Sequence, residues 1–186
     1  LKVAPEHCSA AVLDKMGKPH IEAYLAFSKK YFQFTDDAGK EQYLVPYLMS
    51  SHPGSTLSDA VELALFLKKR HIRPEQVQDF YPTPGTISTA MFYTGLDPYT
   101  MQEVYCARSS HDKALQRALL QYFDPSKHAL VEEALIRAGR RDLIGNDSHC
   151  LIRPSAAYLR ERSGKTARKA PGKGGSRNGK NAKKFR

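Results

Sequence analysis

Residues 43–70, YLVPYLMSSHPGSTLSDAVELALFLKKR, contain the pattern that decides the fold. The nearly continuous apolar run at residues 42–49 is typical of a strand covered on both faces in a parallel sheet, although Pro46 interrupts it. A polar turn follows, and Thr56 with Asp59 three residues later forms a capping-box-like start of a helix. That helix ends in three consecutive basic residues, where the helix dipole favours cations. The stretch therefore predicts one βα unit.

Similar units lie on both sides of this stretch. LKVA at residues 1–4 predicts a strand, and Ser9 and Gly17 predict the two ends of the helix that follows. A second helix is predicted over residues 19–36, with an aromatic face that we expect to be buried. Residues 76–80 predict a third strand, followed by the loop YPTPGTIST. The alternation indicates an α/β fold with a parallel sheet, either open and doubly wound or part of a barrel.

The rest of the chain has a different character. Residues 112–122 and 126–139 predict two helices, with Asp124 and Pro125 in the N-cap and first helical positions of the second. Residues 163–186 contain almost no apolar side chains and are predicted to be disordered. No internal repeat is evident.

The positive charge is confined to the C-terminal end. Residues 160–186 hold eleven of the 29 basic residues and one of the 19 acidic ones, so residues 1–159 carry 18 of each. A basic, nucleic-acid-binding fold is therefore excluded for the body, and only the tail has the charge for nonspecific attraction to RNA. No apolar run approaches the roughly 18–20 residues that a membrane span needs.

Candidate chemical groups gather at the predicted strand ends. If the strands are adjacent, Glu6, His7, His52 and Asp79 face one cavity, as general acid–base chemistry or a zinc-dependent hydrolase would require. The alternative is that these side chains anchor loops by hydrogen bonds. A triad of Ser51, His52 and Asp79 is disfavoured because no GxSxG motif is present. No phosphate-binding glycine motif is present either.

Several segments together resemble a known family. They are LKVAPEH, the HPG turn, RPEQVQDFYPTPGTISTAMFYTGLDP, KALQRALLQYF, LVEEALIRAGRRDLIG and CLIR. In this combination the chain resembles the YgiQ-type radical S-adenosylmethionine (SAM) proteins over residues 1–153. The resemblance implies a cytoplasmic protein with a [4Fe–4S] cluster and SAM, which generates a 5′-deoxyadenosyl radical that takes hydrogen from a substrate.

The implied fold is the C-terminal half of a partial (β/α)6, TIM-like radical SAM barrel at residues 1–98. A helical extension at residues 99–153 and a disordered basic tail at residues 154–186 would follow. The resemblance assigns no catalytic residue, but it implies that SAM is contacted at three strand ends. The implied contact residues are Glu6, His7, Ser51, His52, Thr83 and Pro84, with Glu6 accepting from a ribose hydroxyl or an amino group and Thr83 acting through its backbone.

The cluster motif of that family is missing. The family holds its cluster on CxxxCxxC after the first barrel strand, whereas Cys8, Cys106 and Cys150 are far apart in the sequence. We therefore expect a C-terminal fragment or split-gene product that binds no cofactor or metal alone and whose partner is the missing N-terminal half of the barrel. The alternative from another class is a noncatalytic RNA- or ribosome-associated module that acts through its basic tail.

Overall fold

The computed structural model describes residues 1–167 of the 186-residue chain. It divides into two compact units, Leu1–Pro154 and the part that begins at Ser155. In the first unit the strands are β1 (Lys2–Glu6), β2 (Val45–Ser50) and β3 (Gln78–Asp79), and the helices are α1 (Ala10–Met16), α2 (Ile21–Asp37), α3 (Leu57–Lys69), α4 (Ile87–Thr94), α5 (Ser110–Leu120) and α6 (His128–Arg137). Two short 3-10 turns, Pro125–Lys127 and Arg141–Leu143, complete it.

The three strands form one parallel sheet in the order β1-β2-β3. The predicted alternation of strands and helices around a parallel sheet is therefore confirmed. The sheet is open within residues 1–167, so the half-barrel remains a prediction. None of the helices in this part of the chain has the length and apolar content needed to cross a bilayer.

Two prolines explain the irregular pairing of β1 with β2. Lys2 pairs with Val45 and Val3 with Pro46, but the register shifts before Glu6 pairs with Leu48. Because neither Pro5 nor Pro46 has an N–H group, the hydrogen-bond ladder is interrupted there. Strand β3 pairs only with Met49 and Ser50, the last two residues of β2, so Pro46 interrupts no pairing with β3.

The core lies where α3 crosses the sheet. Leu63 and Leu67 on α3 have no exposed surface, and they pack with Leu48 of β2, Cys8 and Leu120 of α5 in one cluster. The Thr56–Asp59 capping box is present and begins α3, as predicted. Since Leu120 belongs to this cluster, the helical region at residues 99–153 shares its core with the sheet.

The expectation of a buried aromatic face on α2 was wrong. Phe27, Phe32 and Phe34 are 42%, 43% and 67% exposed, and Thr35 is the buried residue of this helix. Tyr31 stacks on Phe27 and meets Phe32 edge to face, so these rings pack on one another. Helical periodicity shows that one face is apolar, but it does not show which part of a protein covers that face.

The residues predicted to begin and end the helix at residues 126–139 have those roles in the structure. Asp124 accepts a hydrogen bond from the Ser126 backbone N–H at 2.8 Å, with Pro125 as the first residue of the 3-10 turn that precedes α6. Gly139 follows α6 with a φ of +72°. The local capping rules therefore identified the correct positions.

The disorder predicted from residue 154 onward is corrected for part of its length. Ala156–Ala167 forms a helix, α7, and Ser155 Oγ accepts from the Tyr158 N–H at 3.1 Å at its start. Two consecutive alanines and a leucine favour helix here, and the low average hydrophobicity concealed this local propensity. Residues 168–186, the remainder of the predicted disordered tail, lie outside the described residues.

Substituting Leu63→Ala tests the position of the core. We expect the free energy of unfolding to fall by about 2–5 kcal/mol, because the change leaves a cavity among fully buried side chains. Urea denaturation followed by circular dichroism measures this loss. The matched control, Leu1→Ala at a 60% exposed position, should change the value by less than about 0.5 kcal/mol. Equal losses in the two variants would contradict a core centred on α3.

Candidate functional site

The carboxyl ends of the three parallel strands lie at one edge of the sheet. Glu6 is the last residue of β1 and His7 follows it. Ser50 is the last residue of β2, followed by Ser51 and His52, and Asp79 is the last residue of β3. The three strands are therefore adjacent, as the prediction of a shared site at their ends required. In open parallel sheets this edge is where ligands bind.

Two buried polar atoms at this edge have no hydrogen-bond partner among residues 1–167. Glu6 Oε1 accepts from Lys18 Nζ at 3.2 Å, but Glu6 Oε2 is unpaired, and so is the Ser51 hydroxyl. Leaving a buried polar atom unpaired costs about 1–3 kcal/mol. Both residues also have left-handed backbone, with φ of +64° and +63°. Such strain often marks functional sites.

The turn after β2 is held by a side chain from α5. Gln116 Oε1 accepts from the Ser51 N–H at 3.1 Å and from the Ser55 hydroxyl at 3.0 Å. Gln116 Nε2 donates to the Ser55 carbonyl at 2.8 Å, so both ends of the buried amide are used. Sequence reasoning missed Gln116. The available signal was a polar residue between Leu115 and Leu119 on the apolar face of a helix.

His7 is a neutral, buried imidazole. Burial lowers its pKa, Asp59 opposes this shift and His52 adds a smaller lowering, so that the resulting pKa is about 4. Its Nδ1 accepts from the Ser9 N–H at 3.0 Å, so the proton of the neutral ring is on Nε2. At neutral pH, His7 therefore offers a donor and no positive charge.

Asp59 connects the starts of α1 and α3. Burial alone would raise the pKa of Asp59, but hydrogen bonds from Thr56 and Ser9 outweigh it and the pKa is lowered. Ser9 Oγ donates to Asp59 Oδ1 at 2.7 Å, and the Thr56 N–H donates to Oδ2 at 2.9 Å. Asp59 is thus an ionised structural anchor behind the strand ends.

Both nitrogens of His52 are occupied. Nδ1 donates to the Pro53 carbonyl at 2.8 Å, so Nε2 accepts from the Ser88 hydroxyl at 2.8 Å. The ring meets Phe80 edge to face at 5.2 Å. Burial lowers the pKa of His52, which favours the neutral form. Ser88, in the first turn of α4, was not identified from the sequence.

The third strand end is less closely joined to the others. Asp79 accepts from Ser50 Oγ at 2.5 Å and from Arg117 Nε at 2.9 Å. Thr83 and Pro84 lie in an exposed loop, and the Thr83 carbonyl accepts from the hydroxyls of Thr86 and Thr89. These bonds help to begin α4 and do not bring Thr83 to Glu6 or Ser51.

The hydrolase alternatives lack the required geometry. Glu6, His7, His52 and Asp79 each have different partners and do not form a metal-ligand group within residues 1–167. The Ser51 hydroxyl has no hydrogen bond to His52, so the triad is absent as well.

The three cysteines lie in separate environments. Burial raises the pKa of the Cys8 thiol to about 12, with Glu62 and Asp59 adding to the shift. Burial also raises the pKa of Cys106, whose thiol donates to the Met91 carbonyl at 3.5 Å. Cys150 Sγ lies 3.4 Å from the Asp142 carbonyl. Within residues 1–167 the cysteines therefore provide no three-thiolate set for an iron–sulfur cluster.

Similarity to known proteins extends over most of the chain. Residues 75–185 match the family described as "Domain of unknown function (DUF3362)". A UPF0313 protein of Clostridium perfringens is 58% identical over 158 residues, which are 85% of this chain and 24% of the relative. A UPF0313 protein of Methanocella arvoryzae is 51% identical over 165 residues, 89% of this chain and 28% of the relative. No solved structure matches the chain.

The length of these relatives limits what the similarity covers. The chain spans about a quarter of the length of the curated relatives it matches, including a UPF0313 protein of Clostridium botulinum that is 56% identical over 82% of this chain and 24% of the relative. The similarity therefore concerns about a quarter of each relative.

Substituting His7→Gln is expected to reduce the acid sensitivity of stability. The pKa of His7 is about 4 in the folded chain against 6.5 for the free side chain. The stabilisation by neutral His7 is therefore complete above pH 6.5 and declines as the pH falls toward 4. Between pH 7 and pH 4 the unsubstituted chain should lose about 3 kcal/mol more unfolding free energy than the variant.

Urea denaturation at the two pH values measures this difference. His71→Gln is the control, because His71 is exposed. It should retain the acid sensitivity of the unsubstituted chain. Equal losses for the His7→Gln variant and the unsubstituted chain would show that His7 is not buried in its neutral form.

Proposed function

We propose a function from one established premise: the chain belongs to the UPF0313 family, which is also called the YgiQ family. The chain provides part of the SAM-binding surface of a radical SAM enzyme, at the carboxyl ends of its three strands. The observation that supports this proposal best is the pair of buried, unpartnered atoms Glu6 Oε2 and Ser51 Oγ. A ligand that supplies hydrogen bonds at this edge would remove the cost of leaving them unpaired.

The chemistry of these atoms fits SAM. SAM carries an ammonium group, a sulfonium and two ribose hydroxyls, and Glu6 Oε2 can accept from the ammonium or from a hydroxyl. The Ser51 hydroxyl can donate to the SAM carboxylate or accept from a ribose hydroxyl. Because His7 and His52 favour their neutral forms, neither adds a positive charge that would repel the sulfonium.

The remaining predicted contacts have narrower roles. His7 can donate from Nε2, whereas both nitrogens of His52 are already used, so its ring contributes only nonpolar contact. The Thr83 carbonyl is hydrogen-bonded to α4, so an adenine contact there would use the Thr83 N–H. Pro84 has no N–H and is limited to packing.

The iron–sulfur cluster does not fit this chain. The three cysteines of residues 1–167 do not converge, and the Cys8 thiol has a pKa of about 12. We therefore assign the cluster to a part of the whole protein that this chain does not cover. The chain contributes binding and orientation of SAM, and the reductive chemistry depends on the other part.

The same proposal also identifies what covers the outer edge of the sheet. The outer edge of β1 is not paired with another strand of the described residues, and Phe27, Phe32 and Phe34 of α2 are exposed. Unpaired edges are usually covered in native proteins. We propose that the N-terminal half of a radical SAM barrel covers them, in a protein about four times as long as the matched region.

A chimera tests the proposed SAM site. In it, this chain replaces the matching quarter of the C. perfringens UPF0313 protein, and the product is reconstituted with iron and sulfide. Equilibrium dialysis with labelled SAM should show binding, and Glu6→Gln and Ser51→Ala should each weaken it roughly tenfold, because each removes a buried hydrogen bond. Glu22→Gln, at an exposed position on α2, is the matched control and should leave the affinity unchanged.

Cluster content and circular dichroism of every variant separate loss of binding from loss of folding. Unchanged SAM affinity in both the Glu6→Gln and Ser51→Ala variants would overturn the site. Cluster uptake by this chain alone would overturn the assignment of the cluster to the other part of the protein.

A further inference from the structure

We propose that the turn Asp147–Cys150 binds one thiophilic divalent metal ion, with Zn²⁺ as the best match. The side chains of Asp147, His149 and Cys150 each offer one ligand atom, and these atoms all lie within 4.8 Å of one another. The site is independent of the proposed SAM site. It also differs from the expectation that the chain binds no metal.

Backbone hydrogen bonds hold this turn in shape. The Cys150 N–H donates to the Asp147 carbonyl at 3.0 Å and closes the turn. At its base, Gly145 donates to Ile152 at 3.0 Å and Leu151 donates to Leu143 at 2.8 Å. The three ligand side chains therefore project from a fixed segment, which lowers the conformational entropy lost when a metal binds.

The sulfur is the most firmly positioned ligand. Cys150 is 7% exposed, whereas Asp147 and His149 are exposed. A Cβ added to Gly145 would lie 2.8 Å from Cys150 Sγ, so the thiol needs a glycine at that position. Lys68 Nζ also donates to the Cys150 carbonyl. An ion would therefore enter from solvent, past the two exposed side chains, onto a sulfur held at the base of the turn.

The distance between sulfur and nitrogen matches that of zinc ligands. Cys150 Sγ and His149 Nε2 are 3.6 Å apart. Zn–S bonds of about 2.3 Å and Zn–N bonds of about 2.1 Å at a tetrahedral angle place the two ligands about 3.6 Å apart. The two side chains thus need little movement to share one ion.

The ligand types indicate which metal would bind. A thiolate and an imidazole favour Zn²⁺ and similar ions over Mg²⁺ or Ca²⁺, which prefer oxygen ligands. Three protein ligands leave one tetrahedral position for water or a further ligand, as in catalytic rather than structural zinc sites. On binding, the Cys150 S–H bond breaks, a metal–sulfur bond forms and the proton leaves to solvent.

This site lies away from the strand ends. Lys68, which contacts the turn, is in the last turn of α3, whereas Thr56 caps the other end of that helix beside the strand-end site. Lys68 is twelve positions after Thr56, so the rise of the helix places their backbones about 18 Å apart. The sequence alone gave no signal because D-S-H-C has none of the spacings of known zinc motifs.

Titration of the untagged chain with Co²⁺, a spectroscopic substitute for Zn²⁺, tests the proposal. We expect one Co²⁺ per chain, a thiolate-to-cobalt charge-transfer band and displacement of the cobalt by Zn²⁺. Cys150→Ser should abolish the band, and Asp147→Asn and His149→Gln should each weaken binding roughly tenfold or more. Cys106→Ser is the matched control and should retain both the band and the stoichiometry.

The variants at the two exposed ligands guard against a folding artefact. Because Asp147 and His149 are exposed, their substitution should leave the thermal unfolding curve unchanged while binding falls. Absence of the charge-transfer band in the unsubstituted chain would overturn the proposal. So would a band that persists in the Cys150→Ser variant, or Co²⁺ affinities that stay unchanged in the Asp147→Asn and His149→Gln variants.

Discussion

The buried side-chain amide of Gln116 joins helix α5 to the turn that ends β2, and the strand-end site depends on that contact. Its oxygen fixes the Ser51 N–H and the Ser55 hydroxyl, and its nitrogen fixes the Ser55 carbonyl. In a buried, low-dielectric setting these three hydrogen bonds are costly to break. It holds Ser51 in a left-handed conformation with its hydroxyl unpaired. Since Leu120 of α5 also enters the main core, the helical region helps to build the site and is not merely attached beside it.

The electrostatics of the site follow from burial. Glu6 has one oxygen paired with Lys18 and one oxygen buried and unpaired. The two nearby histidines favour their neutral forms because burial lowers the pKa of each. An unpaired carboxylate oxygen, at an edge of the sheet where the histidines favour their neutral forms, suits a ligand that brings its own positive charge and donors. The left-handed backbone at Glu6 and Ser51 persists because the surrounding hydrogen bonds over-determine it.

Sequence reasoning succeeded where the signal was local. The Thr56–Asp59 capping box and the Asp124–Pro125 helix start each involve residues at most three positions apart, and both were predicted correctly. The shared edge of Glu6, Ser51 and Asp79 was also predictable, because parallel strands place their carboxyl ends together. The contact of Gln116 with Ser51, and that of His52 with Ser88, join residues 65 and 36 positions apart, and no local pattern encodes them. The exposed aromatic face of α2 escaped prediction because periodicity does not identify what covers a face.

We propose that this edge of the sheet binds SAM as part of a larger barrel. A structure of the C. perfringens UPF0313 protein with SAM bound tests it most directly, since that protein is 58% identical to this chain in the matched region. We expect a further parallel strand hydrogen-bonded to the outer edge of β1, and a SAM amino or hydroxyl group within hydrogen-bond distance of the carboxylate at the position of Glu6. An outer edge of β1 that faces solvent, with a protein group already paired to that carboxylate and SAM bound elsewhere, would contradict it.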